Sequence, residues 1–327
     1  MIPFSVLDLA PVVEGGDVRQ ALQHSRDLAQ HAERLGYKRF WLAEHHNMPG
    51  IASAATALTI ANAAEATKTI RVGAGGIMLP NHAPMVIAEQ FGTLEALYPG
   101  RIDLGLGRAP GGDMATARAL RRTLVGGEDR FPQEVLELMA LLGPREHGQS
   151  VRAVPGENTN VPIWILGSSL FGAQLAAALG LPFAFASHFA PGQMMDAIAI
   201  YRERFKPSET LSEPYVMLGF NVFAADTDEE ARLLSTSMMQ SFVALRRGVP
   251  SKLQPPRAGY EETLSEAERA QIAFVRQCSA VGGPESVKQG LAAFIERTKA
   301  DELIIASHIY DHAARVRSYE ITAQVRD

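Results

Sequence analysis

Short apolar runs alternate with segments of helical period almost from one end of the chain to the other. Residues 2–9 form the first run and predict a strand. Ala21, Leu22, Ser25, Leu28, Ala29, Ala32 and Leu35 then recur at spacings of three and four, which puts them on one helix face. Asp17 stands where an N-cap belongs, and Gly36 where a helix stops. Residues 40–43 predict a buried strand, 54–66 a helix of small residues, and 70–79 a third strand. Ile87, Phe91, Leu94 and Tyr98 share the face of a helix that Pro99-Gly100 ends. Strand four covers 102–106, and its helix, 132–142, follows only after a long connection. Strands five to eight are 162–166, 183–187, 215–224 and 303–307. Their helices lie at about 171–179, 192–205, 228–246 and 310–326, with an extra helix at about 285–299 before the last strand.

Continuous apolar strands, each followed by a helix, indicate a parallel sheet covered on both faces. Eight such units predict an α/β fold of the (β/α)8 TIM-barrel type rather than a doubly wound sheet. Residues 1–327 are read as a single barrel domain with two insertions, about 108–130 after strand four and about 247–283 before strand eight. Ser265 and Glu268 have the spacing of a capping box, so part of the second insertion is helical. Long ordered connections serve as lids or binding loops, or else as packing excursions or dimer contacts. The pattern leaves both open.

Composition narrows the classes of function. Lys and Arg number 31 against 36 Asp and Glu, a formal charge of −5, and no basic cluster offers a nucleic-acid surface. No apolar run reaches the ~18 residues that span a bilayer. The opening Met1-Ile2-Pro3-Phe4 lacks the basic start of a secretory signal, so a cytoplasmic enzyme with no membrane partner is expected. Cys278 is the only cysteine, which excludes an internal disulfide and any cysteine-built zinc or iron–sulfur site.

In barrel enzymes the reactive groups stand at the C-terminal ends of strands. Four stretches fall there. Ala43-Glu44-His45-His46-Asn47 sets two imidazoles beside a carboxylate, groups that hydrogen-bond or move protons near neutral pH. A lone histidine would read as structural, but this pair makes His45 and His46 the candidate catalytic residues. Neighbours on a strand point to opposite faces, and no His-x-His or His-Glu-x-x-His pattern adds ligands, so no metal is expected. Val72-Gly73-Ala74-Gly75-Gly76-Ile77 puts glycines inside a strand, which means either a bulge at a barrel corner or bare backbone under a flat ligand.

The third stretch, Gly105-Leu106-Gly107-Arg108-Ala109-Pro110, superficially resembles a dinucleotide fingerprint but has proline in place of the last glycine. Arg108 suits a phosphate, or a structural salt bridge. The fourth, Leu166-Gly167-Ser168-Ser169-Leu170-Phe171-Gly172, leads from strand five into a helix, whose start is a phosphate site or a plain serine cap. Together Arg108, Ser168, Ser169 and Gly172 indicate a phosphorylated ligand or cofactor.

These strings resemble the luciferase-like flavin-dependent monooxygenases, the family of bacterial luciferase, and within it the small bacterial oxidoreductases labelled group 1. The resemblance rests on Trp41-Leu42-Ala43-Glu44-His45-His46-Asn47-Met48-Pro49, on residues 73–84 and 99–111, on the Ser168-Ser169 stretch and on Ala186-Ser187-His188-Phe189. It covers essentially the whole chain. It implies a barrel that binds FMN, supplied in reduced form by a separate flavin reductase. Reduced FMN reacts with O2 at its C4a carbon, and the resulting peroxide oxygenates a small organic substrate. By resemblance His45 is the histidine near the flavin, with His46 second to it. Gly75 and Gly76 match a non-proline cis peptide beneath the flavin ring, and Arg108 with the 168–172 turn matches the phosphate site. A homodimer is usual in the family. Gly107 stands where bacterial luciferase has a cysteine, and the segment after Arg108 carries Arg118, Arg121 and Arg122, so the resemblance names no substrate. The alternatives are a deazaflavin-dependent dehydrogenase of the same fold and a non-catalytic flavin-binding protein.

Overall fold

A computed structural model describes residues 1–108, 114–120, 130–145 and 150–326. Eight parallel strands close into a barrel in the order β1 (Phe4–Asp8), β2 (Arg39–Leu42), β3 (Arg71–Met78), β4 (Ile102–Gly107), β5 (Ile163–Gly167), β6 (Phe183–Phe185), β7 (Val216–Ala224) and β9 (Glu302–Ala306). β9 pairs with β1, Phe4 beside Leu303, and completes the ring. The TIM-barrel class read from the sequence is the one observed. A ninth strand, β8 (Ser279–Gly282), falls where only a connection was expected. β7 runs nine residues and β6 only three, so β7 outruns its neighbour. β8 pairs with the surplus, Asn221 to Ala224.

The helices α1 (Val18–Arg34), α2 (Thr56–Glu65), α3 (Pro84–Leu97), α4 (Met114–Ala119), α5 (Phe131–Leu142), α6 (Leu170–Leu179), α7 (Met194–Arg204), α8 (Asp228–Arg246), α9 (Glu266–Arg276), α10 (Pro284–Thr298) and α11 (His312–Arg326) complete the described elements. Asp17 caps α1 by accepting the Gln20 amide at 2.8 Å. Gly36 ends it with φ of +73°, a conformation that favours glycine. Glu33, near the end of α1, accepts the amides of Lys68, Thr69 and Ile70 at 2.8, 2.6 and 3.0 Å, and so fixes the turn that feeds β3. Burial alone would raise its carboxyl pKa, but the three amides pull it down to about 2. An Asp or Glu with a depressed folded pKa stabilises above the unfolded value of about 4.3 and loses that contribution as pH falls towards the folded one. Glu33→Gln should therefore lower stability by about 1 kcal/mol at pH 7, after allowance for solvent screening. The gap from wild type should close between about pH 4 and 2 in thermal melts.

Alternate residues of each strand face inward. At the N-terminal end this produces a buried charge network. Arg39 donates to Asp103 at 2.6 Å and to Glu302 at 3.1 Å, and Arg71 donates to the other Asp103 oxygen at 2.6 and 2.9 Å. Trp41 Nε1 (3.1 Å) adds to Asp103, while Tyr215 OH (2.8 Å) and Ser5 Oγ add to Glu302. Above it an apolar layer of Leu7, Trp41, Trp164, Ala184, Met217 and Ile304 fills the axis. Trp41 and Trp164 meet edge to face at 5.2 Å. The barrel is thus closed below, and its open end is the mouth where the strands terminate.

Most of the 108–130 insertion, including Arg121 and Arg122, lies outside the described residues; its described part includes α4. The second insertion holds α9, begun by the expected capping box: Ser265 Oγ accepts the Glu268 amide at 3.3 Å and Glu268 accepts the Ser265 amide at 2.9 Å. α9 packs on α8 through Phe242, Val243, Ile272 and Val275. Before α9 the chain crosses to the loops after β1 and β2. Leu253 exchanges backbone bonds with Val12 and Glu14 at 2.9 and 2.8 Å, and Gly50 leaves room for Ser251.

Candidate active site

The exit of β2 separates the two adjacent histidines. Glu44 is buried, and its carboxylate accepts from His46 (2.7 Å), His82 (2.9 Å), Asn81 Nδ2 (3.1 Å) and the Met78 amide (2.9 Å). Burial pushes its pKa up, but the bonds from His82 and His46 and the Met78 amide outweigh it and hold the carboxyl below its ordinary value. His46 is therefore held by Glu44 and, with His82, stitches the exit of β2 to that of β3. His45 continues the inward row of Trp41 and Ala43 to the mouth.

Two more histidines arrive there that the sequence reading did not single out. His188 sits in the turn after β6 and His308 just beyond β9, both close enough to His45 to act on it electrostatically. Gly219 of β7 has no side chain, and a Cβ there would collide with the His188 ring. Asn221 Nδ2 donates to the His188 carbonyl at 2.8 Å, and Ser187 Oγ to the Gly219 carbonyl at 2.6 Å. Arg315, buried beside Asp8, holds the Ser307 carbonyl at 3.0 Å. Burial, then the neighbouring His308 and His45, bring the His188 pKa down to about 3. Burial and then Arg315 bring His308 to about 4, and burial lowers His45 as well. Each imidazole is uncharged at neutral pH. They do not form a metal-binding group among the described residues.

On β3 the Gly75–Gly76 peptide is cis, and the register against β4 shifts between Ala74 and Ile77, a bulge. Neighbouring protein already demands these glycines. A Cβ at Gly75 would stand 2.7 Å from Leu7 Cδ1, and one at Gly76 2.7 Å from the Gly105 carbonyl oxygen. At Gly107 a Cβ would press on the Met78 Sδ at 3.0 Å, a tight contact that only the flexibility of the Met78 side chain could relieve.

Arg108 leaves β4 and stacks its guanidinium 4.2 Å from the centre of the Phe171 ring, in the first turn of α6. It forms no ion pair with a described residue, so the salt-bridge alternative has no partner on view. Ser169 precedes α6 in extended backbone, φ −145°, but does not cap it. The first amides of α6 are thus left to another acceptor. Gly172 lies on the inner face of α6, close to Gly167 and Phe183, and brings the helix start against β5. Ser168 opens onto a cavity of about 490 Å³ between α8, α9 and the loop after β6. A cation with no carboxylate among the described residues, a helix start that its N-cap side chain does not cap and an unpartnered His188 Nδ1 fit a phosphorylated ligand with a polar ring.

Comparison with known proteins gives the same neighbourhood. Residues 2–302 match the family model described as luciferase-like monooxygenase. The chain is 52% identical over 326 residues to a luciferase-like monooxygenase of Escherichia coli (strain K12), covering 100% of this chain and 97% of that protein. It is 33% identical over 329 residues to N-acetyl-S-alkylcysteine monooxygenase of Bacillus subtilis (strain 168), covering 98% and 97%. The crystal structure of apo-MsnO8 superposes with a TM-score of 0.88 at 35% identity, covering 100% of this chain and 98% of that one.

Proposed function

The chain belongs to the luciferase-like monooxygenase family, and on that premise we propose that it is an FMN-dependent monooxygenase of the two-component kind. It takes reduced FMN from a separate flavin reductase and uses O2 to oxygenate a small organic substrate. The observation that carries this reading is Arg108, stacked over Phe171 at the uncapped start of α6 with no carboxylate partner among the described residues. Arg108, the α6 amides and the hydroxyls of Ser168 and Ser169 would hold the phosphate. Bound and reduced, the flavin supplies the electrons that activate O2.

The remaining work belongs to side chains at the mouth. His45, half-buried and uncharged, offers a ring N–H to an oxygen at the barrel axis. Glu44 with His46 and His82 keeps the exits of β2 and β3 in place. The excursion through Ser251 and Leu253 lies over the β1 and β2 loops and supports a cover that keeps water from the reacting atoms. The reading includes a cytoplasmic homodimer. Leu58 of α2 and Val86 and Leu97 of α3 offer exposed apolar surface on neighbouring helices, and among the described residues no helix is long and apolar enough to cross a membrane.

The test mixes the protein with chemically reduced FMN and then with O2 in a stopped-flow spectrometer. Expected is an oxygen-dependent absorbing species that precedes oxidised FMN and outlasts anything seen with free flavin. His45→Ala should still bind FMN but release hydrogen peroxide in place of that species. Reoxidation at the free-flavin rate with wild type rejects the monooxygenase. Preferential binding of a reduced deazaflavin inert to O2 would favour the dehydrogenase, and very slow flavin exchange without turnover a flavin-binding protein.

A further inference from the structure

Three uncharged imidazoles meet at the barrel axis with no hydrogen bond to their rings. Among the described residues no side chain or backbone group bonds a ring nitrogen of His45, His188 or His308, and Nδ1 of His188 is buried without a partner. A buried polar nitrogen without a partner asks for an explanation, and the two half-buried imidazoles beside it turn that one orphan into a polar seat open to a ligand. Their placement is built. Gly219 vacates the space the His188 ring fills, Asn221 and Ser187 fix the backbone around it, and Arg315 fixes the turn that carries His308. Beneath them lies the apolar layer of Trp41, Trp164, Met217 and Ile304, with the Asp8–Arg315 pair beside His308.

The chemistry of the seat limits its occupant. A neutral imidazole carries one N–H donor and one lone-pair acceptor. Several of them facing one point suit a group that is uncharged and carries a carbonyl oxygen, with or without an adjacent N–H. They suit a carboxylate poorly: the cation that acts on them, Arg315 beside His308, is already paired with the Asp8 carboxylate, and Arg108 is at the start of α6. We propose that His188 and His308, together with His45, form a hydrogen-bonding seat for an uncharged carbonyl group at the barrel axis. That group comes either from the pyrimidine ring of the flavin or from the substrate. The first source rests on the function proposed above; the second stands without it.

Full-length protein and the variants His188→Phe, His308→Phe and His188→Asn separate the two. Phenylalanine keeps the ring volume without nitrogens, and asparagine returns a polar atom near the position of Nδ1. FMN binding is read by fluorescence quenching. Cyclohexanone and cyclohexanecarboxylate binding are read by ligand-observed NMR, and imidazole nitrogen shifts by 15N NMR. Expected is a loss of about tenfold in affinity for FMN or for cyclohexanone in both phenylalanine variants, recovered in His188→Asn. Loss for FMN alone assigns the seat to the flavin carbonyls, and loss for cyclohexanone alone assigns it to the substrate. Unchanged affinity for both probes overturns the proposal, as does tighter binding of the carboxylate than of the ketone. If wild type binds no FMN the proposed function fails, while the ketone arm still decides the seat. Should His188→Phe not fold, His308→Phe and the shift of the wild-type His188 and His308 nitrogens on adding each probe decide it.

Discussion

Arg108→Ala raises the dissociation constant for FMN by roughly ten- to a hundredfold and leaves that for riboflavin nearly unchanged. The expectation follows from what Arg108 does and does not touch. Its only described side-chain contact of note is the face of Phe171, a cation–π contact of about 0.5–1 kcal/mol at a half-exposed site. A charge-assisted bond from a guanidinium to a phosphate is stronger, about 1.5–3 kcal/mol, and each 1.4 kcal/mol is a factor of ten. Riboflavin has the same ring system without the phosphate, so it reports any general damage to the mouth. The FMN preference of wild type should also shrink as salt is added, because the contact is between charges near the surface. Equal losses for the two flavins would remove Arg108 from the phosphate site.

Asp103→Ala acts at the opposite end of the barrel and lowers stability by about 3–5 kcal/mol, the cost of removing one partner from a buried ion network. Both oxygens of Asp103 are engaged, one with Arg39 and Trp41 and the other with Arg71. Arg39 would keep Glu302 but lose its other carboxylate inside the barrel, and the Trp41 N–H would lose its acceptor. Asp103→Asn should cost less, because an amide oxygen can still accept from one side. The measurement is the urea midpoint for each variant, with FMN affinity as a second reading. A midpoint equal to wild type would show that Glu302 alone neutralises the base.

Much of the barrel is legible in the sequence because short, mostly apolar runs alternate with helical-period segments along nearly the whole chain, a pattern that a parallel sheet covered by helices explains. β8 is not legible. Ser279-Ala280-Val281-Gly282 is too short to show a period, and it pairs only because β7 outlasts β6, a fact about two distant segments. The base network is hidden for a similar reason. Arg39, Asp103 and Glu302 stand near strand starts where polar residues read as loop ends, and only ring closure brings β2, β4 and β9 to one point. At the mouth the strand-exit rule finds His45 and Arg108. It would also have found the other two histidines through a signal that was present: Ala186-Ser187-His188 and Ala306-Ser307-His308 are the same tripeptide after two different strands. In both, the histidine follows the strand's end at the mouth, while the serine secures a neighbouring element. The glycines of β3 were legible as special positions, but not that Leu7 and the Gly105 carbonyl already exclude side chains there.

The base network also sets an order of events during synthesis. Ser5 and Arg39 are made well before the Glu302 carboxylate that receives them. At ~5–20 residues per second the ribosome needs roughly 15–50 s to travel from one to the other. Throughout that interval β1 lacks β9 as a neighbour and Arg39 lacks one of its two carboxylates. The nascent chain therefore remains an open sheet with an unpaired edge and an unneutralised arginine until β9 has been made. Chaperone demand for this protein should rise with every pause in translation that falls before residue 302.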